Sequence, residues 1–433
     1  MTRFVPMLRY VALALSVCLA AMVGSAYGQV VEPVLALAKK ERPALLDTLK
    51  EIVAIETGSR DREGLDKLAD VIAGRLKALG ASVDMIEPGP DIYKMHDTPE
   101  KIGKMVRGTF QGTGKARILL IAHMDTVYPR GTLGKQPFRI DGDRAYGLGI
   151  ADDKQGVALI LHTVAMLRAM NFRDYGTLTV LINGDEEISS PASRSHLEKL
   201  GGEHDAVMSF EASRVESDKL SLATAGIAAV TLNVRGRASH SGSAPERGVN
   251  ALYELAHQVM QTRDLSDPKT GVKMNWTMAN AGVTRNMIPP RAEAAADVRV
   301  LRVSDYDGIE KNVRERIKNK LLPESVVEMD FERRRPPLEA TAASRALAKH
   351  AQQIYQELGM KLVVDEVAEG GGTDAAFAAL KTKAAVVERF GLRGFGAHSN
   401  DAEYVLISSI EPRLYLATRL IMDISQGKGA PAK

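Results

Sequence analysis

Three short apolar runs in this chain each lead into acids or histidine. Residues 117–122 run into His123-Met124-Asp125, residues 178–183 into Gly184-Asp185-Glu186-Glu187, and residues 206–210 into Glu211. Runs of this length, rich in Val, Ile and Leu, predict strands buried on both faces. Between and before them the spacing is helical. Leu45, Leu49, Ile52 and Val53, then Leu68, Val71, Ile72 and Leu76, recur at three- and four-residue steps within 32–79, and Gly80 supplies a stop. Residues 82–86 predict a strand. The Gly- and Pro-containing stretch 88–114 and the segment from 123 to 149 predict mostly loop. Residues 155–170 have the apolar spacing of a helix that carries the chain back to strand 178–183. Strands alternating with helices predict an α/β fold with a mostly parallel sheet flanked by helices.

The rhythm changes near Leu222. Strand patterns at 228–234, 276–279, 292–300 and 326–331 and helical patterns at 249–259 and 306–321 give the order β-α-β-β-α-β, an antiparallel sheet with helices on one face. The basic, proline-ended stretch Glu332-Arg333-Arg334-Arg335-Pro336-Pro337 reads as a boundary. Helix 342–359, strand 361–367, helix 373–380, strand 384–389 and a terminal helix then resume the α/β rhythm. A smaller ferredoxin-like α+β domain at 224–335 is therefore expected to be inserted into a larger one formed by 29–223 and 336–433.

The length of 433 residues suits two domains, and 45% hydrophobic with 26% charged residues describes an ordinary globular chain. The first 28 residues have the form of an export signal: Arg3 and Arg9, an apolar run from Val11 to Val23, and Ala26-Tyr27-Gly28 before a cleavage expected at Gln29. The alternative is a membrane anchor, but the run is shorter than the ~20 residues a span needs. Removing the leader takes two of the 57 basic residues and no acid, leaving 55 against 54 and a net charge of +1. No basic nucleic-acid footprint is present, so small molecules or peptides are the expected partners. Cys18, the sole cysteine, lies in the leader behind Val17, a poor lipoprotein context. The mature chain would have no thiol, so any cation must be held by nitrogen and oxygen. A periplasmic or secreted location follows from this reading.

A bare carboxylate at the end of a core strand is costly unless it is paired or holds a cation. Three such ends, one with a histidine, point to a shared cation site beyond the strands' carboxyl ends. His123 and Asp125, two apart on an extended backbone, point the same way. In Gly147-Leu148-Gly149-Ile150-Ala151-Asp152-Asp153-Lys154 two acids precede a helix, where either could also be a plain N-cap. In Asp185-Glu186-Glu187 adjacent acids face opposite sides, so one can ligate while its neighbour acts as a base. Gly147-x-Gly149 lacks the third glycine of a dinucleotide fingerprint, and Gly112-Thr113-Gly114-Lys115 lacks a Walker pattern. His162 and His350 fall in helical patterns and read as packing or surface residues. His96, His196, His204 and His257 have no ligand-like context, and Ser241 and Ser243 no triad setting.

The pieces His123-Met124-Asp125, Gly149–Lys154, Asp185-Glu186-Glu187, Glu211, Gly371-Gly372-Thr373-Asp374-Ala375 and His398 occur in the order of the di-zinc aminoacylase/carboxypeptidase family. The resemblance runs from about residue 45 to 423 and is strongest to that family's folate-hydrolysing glutamate carboxypeptidases. It implies two zinc ions per subunit (cobalt or manganese as alternatives). Asp152 would bridge them, with a cis bond to Asp153. His123 and Glu211 would complete one ligand set, and Glu187 and His398 the other. Glu186 would be the general base and Asp125 would orient His123. His240, from an inserted domain that dimerises and acts as a lid, would stabilise the oxyanion, across a homodimer. Arg299 would hold the substrate carboxylate, and Asn286, Gly371, Gly372, Thr373 and Asp374 would line the pocket. For His240 a plain surface histidine, and for Arg299 an ion pair with Asp297, are the competing readings of the residues themselves.

The expected function is that of an exported zinc carboxypeptidase cleaving the amide bond to a C-terminal glutamate. An exported aminoacylase or dipeptidase is the alternative within the family, and a non-catalytic zinc- or peptide-binding protein the alternative from another class. Leu148, Gln155 and Ile188-Ser189-Ser190 depart from the glutamate carboxypeptidase pattern and bear on specificity.

Overall fold

The computed structural model describes residues 29–399 and 402–429. The leader expected at 1–28 lies outside the described residues, and no described helix is long and apolar enough to cross a membrane. A six-stranded sheet forms the centre, in the spatial order Ser82–Ile86, Met105–Gln111, Thr177–Asn183, Arg117–His123, Ala206–Ser209, Ala385–Val387. The last four run parallel to one another, and Met105–Gln111 pairs antiparallel with both of its neighbours. Alternation along Arg117–His123 sends Ile118, Leu120 and Ala122 into one core and Leu119 and Ile121 into another, so the strand is buried on both faces as its composition requires.

The expected mostly parallel sheet flanked by helices is present. Over one face lie Glu32–Val53, Gln155–Ala169, Ala342–Glu357 and Ile410–Ser425. Over the other lie Arg194–Glu203 and the short Ala375–Ala379. These last two meet closely. A Cβ on Gly201 would sit 1.9 Å from the carbonyl oxygen of Ala378. Gly201→Ala is expected to cost about 1–3 kcal/mol by overpacking, read as a lower urea midpoint. A midpoint equal to wild type would mean the two helices separate freely.

Two stretches expected to be loop contain strands. Met105–Gln111 is one, with the burial of Met105, Val106, Gly108 and Phe110. Its pattern is blurred at Gly108, where the helix Arg62–Ala78 leaves little room: a Cβ would lie 3.0 Å from Leu76 Cδ1. Arg139–Asp141 and Arg144–Tyr146 are the others, joining Tyr404–Leu406, Arg393–Phe395 and Ser213–Arg214 in a small five-stranded sheet. Residues 393–395 and 404–406 therefore lie beside the chain around 144–154.

The segment between these α/β parts folds as a four-stranded antiparallel sheet, Lys273–Ala281, Arg291–Val300, Gly226–Arg235, Val326–Arg335. Along Gly226–Arg235, Ala228, Val230, Leu232 and Val234 are buried against the helices Ala251–Thr262 and Asp305–Arg316 while the alternate positions are not. The second helix ends at Arg316 rather than near residue 321. Beyond it, Leu321 and Leu322 donate their backbone N–H groups to the buried Glu254 carboxylate. The stretch read as a boundary begins inside the sheet. Glu332 to Arg335 continue the last strand, and the chain leaves the sheet only at Pro336, which has no N–H for a ladder.

Candidate metal and catalytic centre

The carboxyl ends of the parallel strands converge. His123 closes Arg117–His123, Asp185–Glu187 follow Thr177–Asn183, and Glu211 follows Ala206–Ser209. Asp152 and Asp153 stand where the chain enters Gln155–Ala169, joined by a cis peptide bond. His398 reaches in beyond Arg393–Phe395. His123 Nε2 lies 3.0 Å from Asp152 Oδ1 and 3.4 Å from Glu211 Oε1. His398 Nε2 lies 3.1 Å from Glu187 Oε2 and 3.3 Å from Asp152 Oδ2. Asp152 thus turns one carboxylate oxygen to each imidazole.

Asp153 also falls within ligand distance of His123 and Glu211. Its oxygens are engaged elsewhere: Oδ1 accepts from Gln155 Nε2 at 2.7 Å and Oδ2 from the backbone N–H of His123 at 3.4 Å. It therefore reads as a support. Gln155, one of the departures from the family pattern, also donates to the Phe210 carbonyl and so ties this turn to the strand before Glu211.

Asp125 is fully buried and joins both halves of the cluster. Its carboxylate lies 3.3 Å from His123 Nδ1 and accepts from the backbone N–H of Glu186 (3.0 Å) and Glu187 (3.1 Å) and from Ser59 Oγ (2.8 Å). Glu186 is 7% exposed, and its Oε1 lies 2.9 Å from a nitrogen of Arg335. The guanidinium of Arg335 also donates to Asp374 Oδ1 (2.9 Å) and to the Glu186 carbonyl (2.6 Å).

Burial pushes the Glu187 carboxyl up to about 7, and repulsion from Asp152 adds to this. Burial likewise raises Glu186 and Asp153 well above the carboxylate range, with Arg335 opposing the shift at Glu186. At Asp152 the hydrogen bonds from His123 and His398 outweigh burial and hold the group low. The same bonds, to Asp152 and Glu187, lift His398 to about 11. Seven carboxylates, those of Asp125, Asp152, Asp153, Glu186, Glu187, Glu211 and Asp374, thus crowd around two imidazoles and one guanidinium. Glu187 Oε1, moreover, is buried without a hydrogen-bond partner. An excess of negative charge, an orphaned carboxylate oxygen and a purely nitrogen-and-oxygen donor set fit divalent cations held by His123, Asp152 and Glu211 on one side and Asp152, Glu187 and His398 on the other.

Asp152, Glu186, Glu187, Glu211 and His398 line one cavity of about 500 Å³, together with Gly371, Gly372, Thr373, Arg214, Arg389 and Phe395. Glu187 also borders a second cavity of about 480 Å³ between Gly58–Asp61 and Thr126–Arg130. Gly372 abuts Arg335, where a Cβ would come within 2.7 Å of Cδ, and Thr373 Oγ1 donates to the buried Glu388.

The remaining expected residues lie apart. His240 and Asn286 sit together on neighbouring exposed loops of the four-stranded sheet, bridged at His240 and Met287, and outside the cavity lining. His240 Nδ1 accepts from the backbone N–H of Gly242 and Ser243 (3.1 and 3.2 Å), which leaves the proton on Nε2. The guanidinium of Arg299 is held bidentately by Asp297 (2.8 and 2.9 Å), and one further nitrogen donates to the Gly370 carbonyl at the edge of the glycine loop.

Sequence reasoning did not single out Arg335, Arg214 or Arg389. Arg335 was hidden in a run of three arginines: the alternation of Val327, Met329 and Phe331 leads to Arg333, which is exposed, and the register shifts before Arg335.

Acids and imidazoles gathered at the carboxyl ends of parallel strands, with a buried glutamate beside them, define a metal-dependent hydrolase. The chain matches the model of "Peptidase family M20/M25/M40" over residues 119–423. It is 44% identical over 424 residues to "Carboxypeptidase G2" of Pseudomonas sp. (strain RS-16), covering 98% of this chain and 100% of that one. It is 27% identical to "N-acetyl-L-citrulline deacetylase" of Xanthomonas campestris over 61% of this chain and 68% of that protein. Among solved structures, the M20 family metallo-carboxypeptidase Sso-CP2 from Sulfolobus solfataricus shares the fold with a TM-score of 0.69 at 17% identity, covering 87% of this chain and 98% of that one. The protein belongs to peptidase family M20/M25/M40 and is a hydrolase of the metallocarboxypeptidase type.

Proposed function

We propose that this protein hydrolyses the amide bond to a C-terminal glutamate, using two divalent cations held by His123, Asp152, Glu187, Glu211 and His398. The observation that carries the reading is that Asp152, Glu187, Glu211 and His398 line one cavity together with Glu186, while His123 lies against Asp152 and Glu211. Zinc suits such ligands best, with cobalt and manganese as alternatives. When bound, the cations would acidify a water and polarise the scissile carbonyl. The chain's own groups supply the rest. Glu186, beside the cluster and shielded from bulk water, takes the proton of the attacking water and returns it to the leaving nitrogen. Asp125 fixes the ring of His123 through Nδ1. Arg214 and Arg389 line the cavity, which favours a product amino acid with two carboxylates. Arg299, at the edge of the glycine loop, is the further candidate for the free carboxylate.

The protein acts as a homodimer in this reading, with His240 of a second copy presenting Nε2–H to the oxyanion and Asn286 beside it. The exposed strand Lys273–Ala281 with Met278 at 70% exposure, and the helix Ala251–Thr262 with Tyr253 at 62%, support a covered face there. The leader at 1–28 makes the mature protein periplasmic or secreted, beginning at Gln29.

The test is metal analysis and size measurement of the mature chain, then kcat/KM for folate, N-acyl glutamates, N-acyl neutral amino acids and dipeptides. Charge-assisted hydrogen bonds worth roughly 1.5–3 kcal/mol predict that glutamyl amides exceed neutral analogues by about 10- to 100-fold. Preference for N-acyl neutral amino acids would point instead to an aminoacylase, in line with the deacetylase among the relatives.

A further inference from the structure

Beside the cluster lies a buried carboxylate that the proposed chemistry does not use. Glu403 is 1% exposed and immediately precedes the strand Tyr404–Leu406. Its Oε1 accepts from the backbone N–H groups of Ala151 (2.8 Å) and Asp152 (3.1 Å), and its Oε2 from that of Gly149 (3.0 Å). Its own carbonyl accepts from Gly147 at 3.3 Å. One side chain, some 250 residues further along the chain, thus satisfies three donors of the turn that presents Asp152.

The fourth contact of that carboxylate is the hydroxyl of Tyr128, at 2.7 Å. The same hydroxyl lies 2.8 Å from the carbonyl oxygen of Ser399, which also accepts from Gln136 Nε2 at 2.8 Å. Ser399 follows His398, whose backbone is left-handed at φ 62°. Such a conformation persists in a non-glycine residue only where surrounding bonds fix it. The single proton of that hydroxyl is shared between the Glu403 carboxylate and the Ser399 carbonyl, so the pair Glu403–Tyr128 links the segment bearing Asp152 to the one bearing His398. Those two side chains meet on the far side, Asp152 Oδ2 to His398 Nε2 at 3.3 Å.

We propose that Glu403 and Tyr128 are positioning residues that set cation affinity through the backbone: Glu403 fixes the Asp152 arm shared by both cation sites, and Tyr128 fixes the His398 arm of one. Neither lines the cavity that holds Glu186, and Tyr128, which borders the second cavity, turns its hydroxyl to Glu403 and Ser399. The inference rests on the two-cation reading above. Groups that orient metal ligands from behind are worth about 10- to 100-fold in affinity.

The test is titration of the metal-free mature protein with Zn²⁺ against a chromophoric chelator, for wild type, Tyr128→Phe and Glu403→Gln, with the melting temperature of each metal-free protein measured alongside. In the Glu403→Gln variant the new amide nitrogen would face a backbone N–H that now donates to a carboxylate oxygen. Tyr128→Phe is expected to weaken one binding step by about 10-fold or more and leave the other within about threefold, whereas Glu403→Gln weakens both. Wild-type affinities in both variants overturn the proposal. So does an equal weakening of both steps by Tyr128→Phe that merely follows a drop in melting temperature, which is what a general packing role gives. If Glu403→Gln does not fold, Tyr128→Phe alone decides. A wild-type chain that takes up a single cation overturns the two-site reading itself, which separates that failure from failure of the positioning role.

Discussion

Glu186→Gln is expected to lower kcat by about 10²- to 10⁴-fold, the usual contribution of a positioned base, while both cations remain bound. The amide keeps the size of the carboxylate and can still accept from Arg335, so the cluster at Asp152, Glu187 and His398 is undisturbed. Only the ability to take a proton is lost. Metal analysis and single-turnover hydrolysis of a glutamyl amide check the two halves separately. Full turnover in the variant would remove Glu186 from its role, and loss of metal would make it a ligand support rather than a base.

Arg335→Met should have the second largest effect, on stability and pH dependence together. The Arg335 side chain is 3% exposed and stands between the carboxylates of Glu186 and Asp374, which are 9% and 8% exposed. Removing one partner of a buried ion pair leaves the other charges uncompensated and typically costs about 3–5 kcal/mol. Urea unfolding of the metal-free protein should show it, and a loss below about 1 kcal/mol would mean solvent already compensates these acids. Activity should change in a defined direction. Burial raises the Glu186 carboxyl and Arg335 opposes that rise, so its removal raises the carboxyl further. A base works ionised and fails as pH falls through its pKa. The acid limb of the pH–rate profile therefore moves to higher pH in Arg335→Met and moves less in Arg335→Lys. An unmoved limb would separate Arg335 from the base electrostatically.

The buried strands were legible because their composition leaves no other place for them. Leu119 and Ile121 face one core and Leu120 and Ala122 the other, so the run is apolar throughout. His123, Asp125, Glu186, Glu187 and Glu211 could be read from the ends of those strands, since a carboxylate there needs a partner. Met105–Gln111 could not, because its central residue is a glycine chosen by the helix that crosses it. Nor could Arg335, whose neighbours Arg333 and Arg334 form ordinary ion pairs with Asp307 and Asp97. Nothing local distinguishes the third arginine of the run. Its burial against Asp374 is a property of the sheet's last position.

By itself the sequence determined the α/β architecture, the β-α-β-β-α-β segment within it, and the residue types that gather where the parallel strands end. These follow from periodicity and from the free energy of burying charge, both of which are written locally. Only the tertiary structure decided which oxygen of Asp152 faces which imidazole, that Arg335 pairs with Glu186, and that Glu403 and Tyr128 hold the turns carrying Asp152 and His398. Those contacts join positions up to some 270 residues apart, and polar contacts of 2.6–3.4 Å depend on where packed elements come to rest rather than on any spacing along the chain.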